Sequence, residues 1–143
     1  MIAKQLSVFI ENRQGRLGEV LNVLKKNKIN ILSLSLADTT EYGLLRIIVN
    51  NPNLGKEKLT EDGFSTMLTS VLILNINHEA GSLQDLLGIL AENDINVEYM
   101  YGLSIDGDKA YVVLKTSDTQ KAESIFEARN VKMLSSEDIA NFN

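Results

Sequence analysis

The sequence predicts an α+β fold in which one strand–helix–strand–strand–helix–strand unit is used twice, and three observations predict it. First, the 143-residue chain repeats itself: Leu6 to Val49 lies over Leu72 to Lys115 without a gap, at an offset of 66 residues (Gly81 against Gly15). Second, the offset aligns character as well as length. Leu6 meets Leu72, Ile10 meets Ile76, Leu17 meets Leu83, Leu24 meets Leu90, and Ile29-Asn30 meets Ile95-Asn96. Third, within each copy the apolar spacing alternates between two and about 3.6 residues, the periods of strand and helix.

Each element follows in order. Leu6, Val8 and Ile10, like Leu72, Leu74 and Ile76, alternate as half-buried strands do. A short polar loop with one glycine follows. Leu17, Val20, Leu21 and Leu24 then recur at helical spacing, as do Leu83, Leu86, Leu87 and Leu90, and these leucines are expected in the core. Lysines and Asn27 close the first helix, and Asn93-Asp94 the second. A second strand starts at Ile29 or Ile95 and turns back, through Asp38–Gly43 in one copy and Ile105-Asp106-Gly107-Asp108 in the other. Asp-Gly between two strand runs is a strong hairpin signal. The strands return over Leu44–Val49 and Ala110–Lys115.

A second helix closes each copy. One runs from about Asn53 to Asp62, with Pro52 before it and Gly63 ending it. The other is capped by Ser117 or Asp118 and buries Ala122, Ile125 and Phe126. Final strands are expected over Phe64–Ser70 and Val131–Leu134. Right-handed crossovers make this order a ferredoxin-like unit, an antiparallel sheet with its helices on one face. Two domains are expected, residues 1–70 and 71–143. Each has a small core and gains by packing against the other.

Charge and composition narrow the function. A net charge of −5 argues against a nucleic-acid surface, which needs a clustered positive field. Lys25, Lys26 and Lys28 do cluster, but at a helix end where cations complement the dipole, so a solvated face explains them. The absence of cysteine removes disulfides, thiolate metal sites and a cysteine nucleophile, and fits a cytoplasmic protein. No apolar run reaches the roughly 20 residues of a membrane helix, so no membrane partner is expected.

The chemistry concentrates in the two glycine loops, Glu11-Asn12-Arg13-Gln14-Gly15-Arg16-Leu17 and Asn77-His78-Glu79-Ala80-Gly81-Ser82-Leu83. The first amides of a helix lack intrahelical acceptors and lie at its partly positive end, which suits a carboxylate. Glycine lets a ligand approach the backbone, although glycine at such a turn also serves conformation alone. An ammonium group would need acceptors such as the side-chain carbonyls of Asn12 or Asn30. Tyr99 and Tyr101, at the places of Ser33 and Ser35, suit either an interface or a pocket wall.

The stretch from Leu6 through Gly15-Arg16-Leu17 to Lys28-Ile29-Asn30-Ile31 resembles an ACT domain, and in particular the start of the small regulatory subunit of acetolactate synthase. The second copy, through Ala80-Gly81-Ser82-Leu83 and Asp94-Ile95-Asn96-Val97, resembles the same family, so the likeness spans nearly the whole chain. It implies regulatory binding of an amino acid at interfaces between paired domains. Carried over by position, the candidates are Asn12, Gly15 and Asn30, then His78, Gly81 and Asn96, with Arg13, Gln14, Arg16, Leu17, Glu79, Ala80, Ser82 and Leu83 completing the loops. Gln14 and Ala80 stand where the family often has proline, and His78 where the first copy has asparagine.

No catalytic constellation emerges. One histidine, His78, leaves no clustered-histidine metal site and little room for a triad. Gly15-Arg16-Leu17-Gly18 lacks both the phosphate-loop lysine spacing and the dinucleotide glycine pattern. The expectation is a non-enzymatic amino-acid sensor without cofactor or metal, a homodimer in association with a biosynthetic enzyme or acting alone. The alternative is a scaffolding subunit whose ligand loops are degenerate.

Overall fold

The computed structural model describes residues 1–38, 41–76, 80–106 and 109–142. Among the described residues it contains six strands and five helices, where the repeated unit predicted eight strands and four helices: β1 Ala3–Glu11, α1 Arg16–Lys26, β2 Ile31–Asp38, β3 Tyr42–Val49, α2 Pro52–Glu61, β4 Ser65–Ile76, α3 Ser82–Glu92, β5 Val97–Asp106, β6 Lys109–Thr116, α4 Thr119–Ala128 and α5 Ser136–Ala140. The chain divides into two compact units. One comprises Lys4–Thr69 and residues from Ile139; the other comprises Ser70–Asp138 and Met1–Ala3.

In the first unit the strand order is β2-β3-β1-β4. Strand β1 runs antiparallel to β3, with Leu6 opposite Ile47 and Ile10 opposite Gly43, and β3 pairs with β2 from Ile31↔Val49 to Asp38↔Gly43. The register puts Leu6, Val8 and Ile10 on the same face as Leu45, Ile47 and Val49, and both helices cover that face. Val20, Val23 and Leu24 of α1, Leu59 of α2, and Ile29 and Phe64 complete a core in which most side chains are wholly buried. On the other face of β1, Gln5 and Ser7 are also buried, and the Gln5 amide donates to Ser7 Oγ at 3.0 Å.

The second unit repeats the plan with order β4-β6-β5, Leu72 opposite Leu114 and Leu103 opposite Tyr111. Leu72, Leu74, Leu90, Ile95, Val112, Leu114, Ala122, Phe126 and Met133 form its core. The Asp106-Gly107 turn lies partly outside the described residues, as do Thr39 and Thr40 of the other turn. On either side of Gly107, β5 and β6 pair antiparallel with Asp106 opposite Lys109.

Four expectations need correction. The strands expected to end at Ser70 and to begin at Leu72 are one strand, β4, because no glycine, proline, Asn or Asp interrupts Thr69-Ser70-Val71. Val131–Leu134 forms only a bridge, Leu74↔Met133, because Ser135 starts a new helix. Its hydroxyl accepts from Asp138 N–H at 3.1 Å while Asp138 Oδ2 accepts from Ser135 N–H at 2.8 Å, a reciprocal cap. Helix α2 begins at Pro52, not after it. Proline suits a first helical position, and the Asn51 side chain caps the turn by accepting from Leu54 N–H at 3.2 Å. Leu17 is 37% exposed instead of in the core, because its first-turn position sets it over a surface hollow. Of the two proposed caps for α4, Asp118 takes the role, and Ser117 Oγ instead accepts from Asn96 N–H.

Candidate functional site

Both glycine loops end in the same backbone device. Gly15 (φ 89°) and Gly81 (φ 86°) are the N-caps of α1 and α3 in the left-handed region, and among the described residues no side-chain cap is formed at either helix. The left-handed turn costs most residues about 1–2 kcal/mol, and glycine avoids it. A Cβ added at either glycine would meet nothing within 4 Å, so the glycine is required for conformation, and it leaves open space beside the helix amides. The first hydrogen bonds inside the helices are Glu19 N–H to Gly15 O at 3.0 Å and Asp85 N–H to Gly81 O at 2.9 Å. Arg16 N–H donates back into the loop, to Arg13 O at 3.4 Å, and the amides between it and Glu19 have no intrahelical acceptor.

Around the first loop, Asn12 N–H donates to Glu41 O at 3.2 Å, which ties the loop to the start of β3, and Arg13 Nε donates to Glu11 Oε2 at 3.1 Å in an exposed pair. Asn12, Arg13 and Leu17 border a hollow of about 240 Å3 whose far wall is Leu36, Asp38 and Gly43. Leu36 and Asp38 end the neighbouring β2, and their part in this hollow was not legible from sequence, because it depends on the β2–β3–β1 register. Gln14 is exposed.

Arg16 turns away from that hollow. Its guanidinium lies 4.0 Å from the centre of the Phe64 ring and bonds to Glu19, leaving 14% of the side chain exposed and its Nε buried without a hydrogen-bond partner. A second hollow of about 260 Å3 opens beside it, lined by Phe9, Glu11, Tyr42, Gly63 and Ser65.

Asn30 does not join this group within its own unit. It stands at the opposite end of α1, an 11-residue helix about 16 Å long, and its backbone exchanges hydrogen bonds with Asn50. Asn96 holds the matching position after α3, bonded to Ser117. In the second loop Ala80 is exposed, Ser82 and Leu83 are half-buried, and Leu83 leans on the core. His78 and Glu79 lie outside the described residues. Among the described residues, no three His, Asp or Glu side chains gather to hold a metal ion, and no helix is long and apolar enough to cross a membrane.

No curated protein matches the chain. The structure of protein BT0572 from Bacteroides thetaiotaomicron is similar with a TM-score of 0.92 and 34% identity, over 99% of this chain and 97% of that one. The ligand-free regulatory subunit of aspartate kinase from Thermus thermophilus shares the fold at TM-score 0.62 and 13% identity, over 89% and 90% of the two chains. The corresponding subunit from Thermus flavus does so at TM-score 0.59 and 14% identity, over the same shares. The sequence profile of the ACT domain pair matches residues 1–143, and the chain belongs to that family.

Proposed function

We propose that this ACT domain pair is an amino-acid-binding regulatory protein, not a catalyst, and that each repeat, 1–70 and 71–143, contributes one glycine loop as a ligand site. The observation that carries the reading is the duplicated helix start. In both units a left-handed glycine opens a helix without a side-chain cap among the described residues, with open space where a side chain on the glycine would stand. An amino acid's carboxylate suits those amides and the positive end of the helix. In the first unit the hollow beyond them adds Asn12, an apolar wall of Leu17 and Leu36, and the Asp38 carboxylate for an ammonium group. A regulatory subunit of aspartate kinase has the same fold, and the proposal gives this chain a role of that kind, as a homodimer in the cytoplasm that signals to a biosynthetic enzyme. A ligand drives such a signal only through different affinities for two states of the protein.

Thermal melting against each of the twenty amino acids tests it. A ligand at about 100 times its Kd adds about 2.7 kcal/mol and raises the melting temperature by several degrees. The expected result is a rise confined to one or a few amino acids that is lost on Gly15→Val, on Gly81→Val, or on both. Twenty flat curves, or a rise that survives both substitutions, would reject the reading.

A further inference from the structure

The two units treat one groove differently. In the second, a hollow of about 430 Å3 is bordered by Asn75 of β4, Ser82 and Asp85 of the first turn of α3, and Asn130, Val131 and Lys132 after α4. At the repeat offset, Asn75, Ser82 and Asp85 correspond to Phe9, Arg16 and Glu19. Matching hydrogen bonds, Phe64 N–H to Leu59 O and Val131 N–H to Phe126 O, each 3.0 Å, set the correspondence after the second helix, so that Val131 answers to Phe64.

In the first unit the matching place is a smaller hollow of about 260 Å3, narrowed by the protein's own side chains. The Arg16 guanidinium sits over Phe64, bonded to Glu19. In the second unit serine replaces the arginine, so the cationic arm is gone, while Asp85 keeps the carboxylate that paired with it. Among the described residues, the side chains of Asp85, Asn75, Asn130 and Lys132 form no hydrogen bond or ion pair. The first unit therefore carries, in covalent form, a cation beside the carboxylate, and the second unit keeps the carboxylate without that cation.

We propose that the second-unit groove binds a small zwitterion with a basic side chain. Its guanidinium or ammonium group pairs with Asp85 where Arg16 sits in the first unit, and its carboxylate faces Lys132 and Asn130. The groove shares Ala80 and Ser82 with the second glycine loop, but the inference stands apart from the glycine-loop reading because its charged contacts are Asp85 and Lys132 and not the Gly81 helix-start amides.

The test is an amide-resolved NMR titration of the whole protein with L-arginine, and with L-citrulline, which keeps the shape and loses the charge. Arginine is expected to shift the amides of residues 75, 82–86 and 130–132, and citrulline to bind about tenfold more weakly, the size of a charge-assisted hydrogen bond. Asp85→Asn should erase the preference, and Ser82→Arg, which supplies the carboxylate with the first unit's own guanidinium, should compete with and weaken binding. Equal binding of the two probes, arginine affinity unchanged in Asp85→Asn, or no shift in those amides would overturn the proposal. Melting of Gly81→Val and Asp85→Asn side by side separates the two readings: an amino-acid response lost only in the former retains the loop and removes the groove.

Discussion

Where the second helix of each unit meets the first strand of its sheet, the two repeats fill the same space with different side chains. In the first unit Gly55 and Leu59 face Leu6, and a Cβ on Gly55 would come 2.9 Å from Leu6 Cδ2. In the second, Ala122 and Phe126 face Leu72, and both are fully buried. The helix ends are held alike, by the amides of Phe64 and Val131 reaching back to Leu59 O and Phe126 O. The backbone plan is thus common to the repeats while the volume within it is distributed separately. One unit lets a leucine reach over a glycine, and the other sets a larger ring one helical turn along. Close-packed interiors permit such exchanges only in compensating sets.

That comparison breaks most visibly if the large residues are truncated. Phe126→Ala is expected to destabilise by about 4 kcal/mol and Leu59→Ala by about 3, because each loses transfer energy and leaves a cavity, the larger one behind the ring. Urea unfolding of the two variants against the parent measures the gap. A Leu59→Ala loss that equals or exceeds the Phe126→Ala loss would mean that the two cores are not filled as described.

Exchanging the small residues sharpens the same point with a smaller effect. Ala122→Gly removes a buried methyl and a good helix former, and is expected to cost about 1–2 kcal/mol. Gly55→Ala gains about 1 kcal/mol of helix propensity but drives its new methyl against Leu6, for a net loss of about 1 kcal/mol. Both directions should therefore destabilise. Leu6→Val, which shortens the opposing side chain, should offset part of the Gly55→Ala loss in the double variant. If Gly55→Ala alone raises the urea midpoint, Leu6 yields freely and the glycine is no packing requirement.

The features legible in the sequence were those written in local pattern. The alternation of Leu6, Val8 and Ile10 and the helical spacing of Val20 and Leu24 named the core faces, and the offset of Gly15 and Gly81 exposed the duplication. Features set by long-range register were not legible. Nothing near Asn12 in sequence announces that Leu36, Asp38 and Gly43 complete its hollow, and nothing near Arg16 announces that Phe64, 48 positions on, receives its guanidinium. The missed helix α5 had a visible signal, the Ser135-Ser136-Glu137-Asp138 capping pattern. The fused strand β4 had one too, in the lack of any turn residue between its halves.

Helix ends supply the finest test of how alike the units are. Lys28 (φ 55°) and Asp94 (φ 57°) occupy matching left-handed positions just past α1 and α3, where the amides of Ile29 and Ile95 reach back to Leu24 O and Leu90 O. This closing turn favours glycine, and neither residue is one. Both are exposed, so replacing them removes the backbone penalty with little change in packing. The charges act in opposite senses. A lysine at a helix C-terminus complements the partial negative charge there, whereas an aspartate opposes it, each by a few tenths of a kcal/mol. Asp94→Gly is therefore expected to stabilise by about 1 kcal/mol and Lys28→Gly by about 0.5. Raising the salt concentration should draw the two gains together, because screening weakens the dipole contribution and leaves the backbone contribution in place. Thermal or urea unfolding at low and high salt reads both effects. Equal gains at low salt would show that the charges have no part in closing these helices.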